Sequence, residues 1–294
     1  MKKFGKWIAV VIAVLTVGLI FTSCNKKDDK KGTFDNTAQI AIQTREDGSG
    51  TRGAFIELVG LEVKENDKKV DKTTPSASIT NSTGVMLTTV AGNPAAIGYI
   101  SLGSLNDTVK ALKVDGVAPS KETVKDGSYK VARPFNIATK GEATGVTKDF
   151  INFILSKEGQ KIVEDNGYVA VAGTESFKTD NSAGTIKISG SSSVTPVMEK
   201  LIEEYTKANP KATIELNQSD SSSGMKDAIN GVSQIGMASR ELKDSEKAEL
   251  TPTVIAKDGI AVIVHKSNTT DDLSTEQIKN IYLGQVATWA DATK

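Results

Sequence analysis

Three segments of this sequence place small hydroxyl residues and glycines directly ahead of an apolar helical pattern. They are Arg45-Glu46-Asp47-Gly48-Ser49-Gly50-Thr51-Arg52, Ser189-Gly190-Ser191-Ser192-Ser193-Val194-Thr195-Pro196 and Asp220-Ser221-Ser222-Ser223-Gly224. A helix start carries backbone N–H groups with no intrahelical partner, together with the positive end of the peptide dipole. Glycine lets the backbone close on a small ligand, and hydroxyls add donors without adding charge. Such a start accepts phosphate or sulfate oxygens. Three of them aimed at one point would enclose a tetrahedral anion, with Arg45 supplying one full positive charge in forked geometry. Taken singly, each loop is equally a set of helix caps and Arg45 a surface ion-pair partner. Their repetition is what points to a shared anion.

The elements that must position these loops alternate strand with helix. Strands are expected at 40–44, 96–102, 185–189, 214–216 and 260–265. Helices are expected from Ala54, over 148–165 as one long element, along Val197 to Tyr205, near 225–230 and over 275–282. Thr195 and Pro196 suit a helix cap and first turn. Alternation of this kind predicts an α/β fold with largely parallel sheets. The polar stretch 173–184 is a connector or exposed loop, and 121–130 an exposed segment. Trp289 and Tyr99 are expected in packing roles.

The same composition argues against several other chemistries. His265, in an apolar strand, is the only histidine, so a serine hydrolase lacks a base. Gly48-Ser49-Gly50 is too short for a nucleophile elbow, and no His and carboxylate cluster offers a two-metal site. The expectation is a binding protein without cofactor or metal, not an enzyme. The chain is formally neutral, with 36 basic and 36 acidic residues, and no basic stripe with interleaved aromatics invites nucleic acid. No Walker A pattern is present, so ATP hydrolysis would belong to a partner.

The first residues read as a leader. Lys2, Lys3 and Lys6 precede an apolar run from Ile8 to Phe21, shorter than the roughly 20 residues of a membrane span. Thr22, Ser23 and Cys24 then resemble a lipoprotein signal, with lipid carried on Cys24; a plain signal peptide and an uncleaved anchor are the alternatives. Residues 1–23 are the expected signal peptide and 24–35 a flexible polar tether. Loss of three lysines with the leader takes the net charge from 0 to about −3. Cys24 is the only cysteine, so no internal disulfide supports the fold. About 270 remaining residues are enough for two lobes.

The wording of the first loop, residues 45–52, resembles the signature loop of phosphate-binding proteins of high-affinity phosphate ABC transporters. Residues 188–196, the loop 220–224 and Ile235-Gly236-Met237-Ala238-Ser239-Arg240 resemble further ligand segments of the same family, and the likeness extends over residues 36–294. It implies a two-lobed periplasmic-binding-protein-like fold (type II) with ligand in the inter-lobe cleft. It also implies a receptor that binds inorganic phosphate at the extracellular face of the cell membrane, lipid-anchored and monomeric, and delivers it to the permease of an ABC importer. Sulfate or another oxyanion as ligand, and a surface signalling or adhesion module, are the alternatives.

Carried over residue by residue, the resemblance makes Arg45 the charged fork, braced by Asp47. Ser49, the Gly50 N–H and Thr51 donate from the first helix. Ser193, Val194 and Thr195 serve the second loop, in a register free by one residue, and Ser221 with Ser222 the third. Ser239 stands where some relatives have an Asp that accepts the phosphate proton. Asp47 or Asp220 takes that role, or phosphate specificity is weaker. Arg240 is a further candidate or a lobe-surface charge.

The segments depart from the family in order: the Ser-rich strand that opens the family comes second here, so the chain is expected to be circularly permuted. One lobe would be split, 36–133 plus 258–294, and the other continuous, 136–256, with crossovers at 130–136 and 254–260.

Overall fold

A computed structural model describes residues 34–294, apart from 67, 172 and 174. The leader, Cys24 and nearly all of the tether lie outside the described residues. In chain order the elements are β1 (Ala41–Arg45), α1 (Gly50–Leu58), β2 (Glu62–Glu65), β3 (Lys68–Asp71), β4 (Ser78–Thr80), α2 (Thr83–Ala91) and β5 (Ala96–Ser101). They continue with β6 (Val109–Ala111), β7 (Lys113–Val114), α3 (Lys121–Lys125), β8 (Ala132–Thr139), α4 (Gly145–Leu155), α5 (Lys157–Asp165) and β9 (Gly184–Ser191). The rest are α6 (Thr195–Ala208), β10 (Ala212–Ser219), α7 (Ser221–Ile229), β11 (Ile235–Ala238), α8 (Asp244–Lys247), β12 (Thr251–His265), β13 (Asp272–Leu273), α9 (Thr275–Tyr282) and α10 (Trp289–Ala292).

The main sheet runs β10-β9-β11-β8-β12-β5-β1-β4, with β6 also on β12. Its two arms are parallel, β10, β9 and β11 on one side and β5, β1 and β4 on the other. The middle is antiparallel: β8 pairs with β12, opposing Arg133 to Asp258 and Phe135 to Ala256. The expectation of largely parallel sheets therefore holds in the arms only.

Apolar side chains separate along the same line. One core draws on Phe135, Phe150, Ile188, Leu201, Met237 and other residues between 135 and 256. Another draws on Ile42, Phe55, Tyr99, Val262, Ile281, Trp289 and neighbours from 40–131 and 260–292, with Val169 the one outlier. Two halves of the molecule thus have their own cores and are joined through β8 and β12. The first and last described residues meet on one half: Ile40 N–H donates to the Ala287 carbonyl (2.8 Å), Ala290 N–H to that of Asn36 (2.7 Å), and Phe34 meets Trp289 edge-on.

Some elements differ from the sequence expectations. The helix expected over 148–165 is two helices. Ser156 ends α4 and caps α5, its Oγ accepting from Gly159 N–H at 3.2 Å while it donates to the Phe153 carbonyl at 2.7 Å. The strand expected at 260–265 is the end of the 15-residue β12. The helix α2 was not foreseen. Trp289 and Tyr99 are buried, as their expected packing roles require.

Candidate functional site

Parallel strands deliver their carboxyl ends, and the helix starts that follow them, to one edge of a sheet, which is where α/β folds bind ligands. Here β1 ends on Arg45 and leads into α1, β9 leads into α6, β10 leads into α7, and β11 ends just before Ser239. Their hydroxyls meet. Thr51 Oγ1 lies 2.8 Å from Ser193 Oγ and 3.5 Å from Ser239 Oγ. Ser191 Oγ donates to Ser239 Oγ at 2.9 Å, and Ser239 N–H donates to Ser221 Oγ at 3.1 Å. Thr51, Ser193, Ser221 and Ser239 are all buried. Gly50 belongs to this cluster because a Cβ there would collide with the Ser221 and Ser239 hydroxyls. Gly48 turns the loop with φ +87°, a left-handed conformation that suits glycine.

Arg45 is 1% exposed and supplies the charge. Nε and Nη2 donate to the two oxygens of Glu46 at 2.7 Å each. Nη2 also donates to Ser192 Oγ at 3.0 Å, and Nη1 to Thr83 Oγ1 at 3.4 Å. The side fork is thus held by a carboxylate, and the end fork faces neutral hydroxyls. Tyr99 fixes the strand end behind it: its OH lies 2.8 Å from Thr44 Oγ1 and accepts from Arg45 N–H at 3.2 Å. Burial raises the Tyr99 phenol above its ordinary pKa, so the hydroxyl keeps its proton.

Several expected assignments need correction. Asp47 does not brace Arg45; its side chain is fully exposed and pairs with Arg52 at 3.1 Å, while Glu46 takes the bracing role. Arg52 draws Asp47 away, because its guanidinium also holds the Arg45 carbonyl and Asp71. In the second loop the register is one residue earlier. Val194 N–H and Thr195 Oγ1 both donate to the Ser191 carbonyl (3.0 and 3.1 Å), and Val194 is a core side chain. Ser192 and Ser193 face the cluster instead. Asp220 is a cap: its carboxylate accepts from Ser223 N–H and Oγ.

The other expected residues stand near the mouth. Ser49 caps α1, accepting from Arg52 N–H at 3.3 Å. Ser222 accepts from Arg240 Nη2 at 3.1 Å, and its N–H reaches the Gly48 carbonyl across to the other half. Arg240 is fastened to Glu246 by two bonds of 2.7 and 2.8 Å. Burial opposes ionisation of Glu246, but the Arg240 bonds and the Lys243 N–H hold it below the usual carboxylate range. A cleft of about 840 Å³ opens over this mouth, with Ser49 and Arg52 on one wall, Ser222, Arg240 and Lys243 on the other, and Arg133 among its lining. His265 is elsewhere, bonded through Nδ1 to Ser267, and no cluster of metal-ligating residues occurs among the described residues.

A family model described as a PBP superfamily domain matches residues 14–158 and 175–294. The "Phosphate-binding protein PstS 2" of Streptococcus agalactiae serotype V is 50% identical over 291 residues, covering 98% of this chain and 97% of that protein. Its namesake in Streptococcus pneumoniae serotype 4 is 42% identical over 289 residues, 98% of each chain. The crystal structure of a phosphate ABC transporter's phosphate-binding protein from Streptococcus pneumoniae TIGR4 superposes with a TM-score of 0.69 at 44% identity, covering 86% of this chain and 99% of that one. The matches run the length of both chains, so the streptococcal relatives share this order of segments.

Proposed function

The chain belongs to the PstS family of phosphate-binding proteins within the PBP superfamily, and from that premise we propose that it captures inorganic phosphate outside the membrane and delivers it to an ABC importer. The observation that carries this is the buried end fork of Arg45, opening onto hydroxyls gathered from three helix starts. Bound there, an oxyanion meets one cation and several neutral donors. Glu46 keeps the guanidinium in place, and the helix dipoles and hydroxyls spread the remaining negative charge.

The arrangement supports binding rather than catalysis. Glu46 is engaged with Arg45 through both oxygens, and the lone imidazole bonds Ser267 away from the cluster, so among the described residues neither group is placed as a base on Ser191, Ser192, Ser193, Ser221 or Ser239. The two cores support a receptor of two lobes, 36–133 with 258–294 and 136–256, that close on ligand about β8 and β12. The contact of residues 36–40 with 287–290 supports a circular permutation relative to the wider family. A monomer anchored by lipid on Cys24 at the extracellular face, docking on a membrane permease, completes the reading. No helix among the described residues is long and apolar enough to cross a membrane.

Isothermal titration of the purified, phosphate-free protein with phosphate, then with sulfate as competitor, tests this. Tight one-to-one binding that excess sulfate does not displace is expected. A folded sample that binds no phosphate would refute the function, and displacement by sulfate would move the ligand class to oxyanions in general.

A further inference from the structure

The end fork of Arg45 touches two oxygens, Ser192 Oγ on Nη2 and Thr83 Oγ1 on Nη1. Thr83 belongs to none of the three loops. It is the first residue of α2, a nine-residue helix capped by Ser82, whose Oγ accepts from Val85 N–H. The Thr83 side chain is buried, at 4% exposure. Its N–H reaches Ser192 Oγ at 3.3 Å, and its hydroxyl lies 3.4 Å from Ser192 Oγ and 3.2 Å from Ser193 Oγ. Because Glu46 already occupies Nε and one side of Nη2, an oxyanion can take the Arg45 fork only where Thr83 and Ser192 now stand.

We propose that Thr83 is a further ligand-binding residue, bringing the start of a fourth helix to the bound phosphate and latching the two halves together across the cleft. The proposal rests on the phosphate-binding reading above. Thr83 sits on the half whose core includes Met86 and Val90 of its own helix, whereas Ser192 and Ser193 adjoin Val194 in the other core. Its donors therefore reach phosphate only when the halves are together, and their loss acts mainly on the rate of release. Hydrogen bonds to a charged partner predict a loss of about ten- to a hundredfold in affinity.

The test compares Thr83→Val, which removes the hydroxyl and keeps the shape, with Thr83→Ser, which keeps the hydroxyl. Phosphate affinity is measured by calorimetry and release by stopped flow. Thr83→Val is expected to bind about ten- to a hundredfold more weakly, mostly through faster release. The ligand-free melting temperature is read beside it to show that the variant is folded, and Thr83→Ser should bind phosphate near the parent. Affinity of Thr83→Val within twofold of the parent, or Thr83→Ser as weak as Thr83→Val, overturns the proposal while parent binding leaves the function standing. Should Thr83→Val fold poorly, the parent decides: the Thr83 amide proton resonance moves downfield on saturation with phosphate, and an unmoved resonance overturns the assignment.

Discussion

Replacing Arg45 by alanine removes the one full positive charge that, among the described residues, is bonded to Ser192 and Thr83 beside the hydroxyl cluster. Its side chain is 2% exposed, so solvent screens the lost interaction poorly. The end fork offers a ligand two charge-assisted bonds, through Nη1 and Nη2, at about 1.5–3 kcal/mol each. Truncating one partner of a buried charge pair costs about 2–5 kcal/mol by comparison. The two ranges overlap at about 3–5 kcal/mol, which is roughly a hundred- to a few-thousandfold rise in phosphate Kd. Glu46, left without its partner, is reached by water, which favours the lower part of that range. Calorimetric titration of Arg45→Ala beside the parent measures the change, with ligand-free thermal melts to show that both are folded. An affinity within threefold of the parent would mean that the guanidinium is an internal brace for Glu46 and takes no part in holding the anion.

Asp47→Asn is expected to change phosphate affinity by less than threefold, since the carboxylate is exposed and pairs with Arg52; a tenfold loss by the same titration would return Asp47 to Arg45. Gly50→Ala should abolish measurable phosphate binding, because its methyl would occupy the space of the Ser221 and Ser239 hydroxyls; normal titration of this variant would place the ligand elsewhere. Asp258 is pushed up to about 6 by burial, with the Arg133 ion pair pulling the other way. A folded pKa above the unfolded value of about 3.9 means the native protein binds the extra proton between the two, so this carboxyl's contribution to stability falls as pH rises through that window. Urea unfolding of the parent minus that of Asp258→Asn should therefore decline from pH 4 to 7, and a difference that rises would place Asp258 below the usual range instead.

The three loops were legible because hydroxyl residues and glycines ahead of an apolar stripe constrain backbone and chemistry together. The register of the second loop was not, since Ser191, Ser192 and Ser193 are identical side chains and only the turn that spends Val194 N–H on the Ser191 carbonyl separates them. Glu46 and Asp47 are adjacent carboxylates, and which one meets Arg45 is settled by Arg52, itself oriented by Asp71 some twenty residues away in sequence. The helix α2 escaped notice because Val85, Thr88, Thr89 and Val90 are β-branched and lower its helix propensity. Tertiary packing of Met86 and Val90 overrides that preference. The length of β12 was hidden by Pro252, Asp258 and Gly259, which interrupt its apolar pattern; Asp258 is tolerated inside because Arg133 lies opposite it on β8.

Residues 34–40 and 287–290 are stitched into one half. On the proposed two-lobe reading, a tether entering at Phe34 holds the half that contains Arg45 and Glu46, which makes that half the stator and residues 136–256 the jaw. The jaw's share of the cluster is Ser191, Ser192, Ser193, Ser221 and Ser239, all neutral, and its nearby Arg240 travels with Glu246 as a neutral pair. The jaw as a whole, however, carries 13 basic and 17 acidic side chains, a net charge of about −4. On the proposed reading it shuts upon an anion against a like-charge repulsion spread over its surface, so closing should quicken as added salt screens that charge.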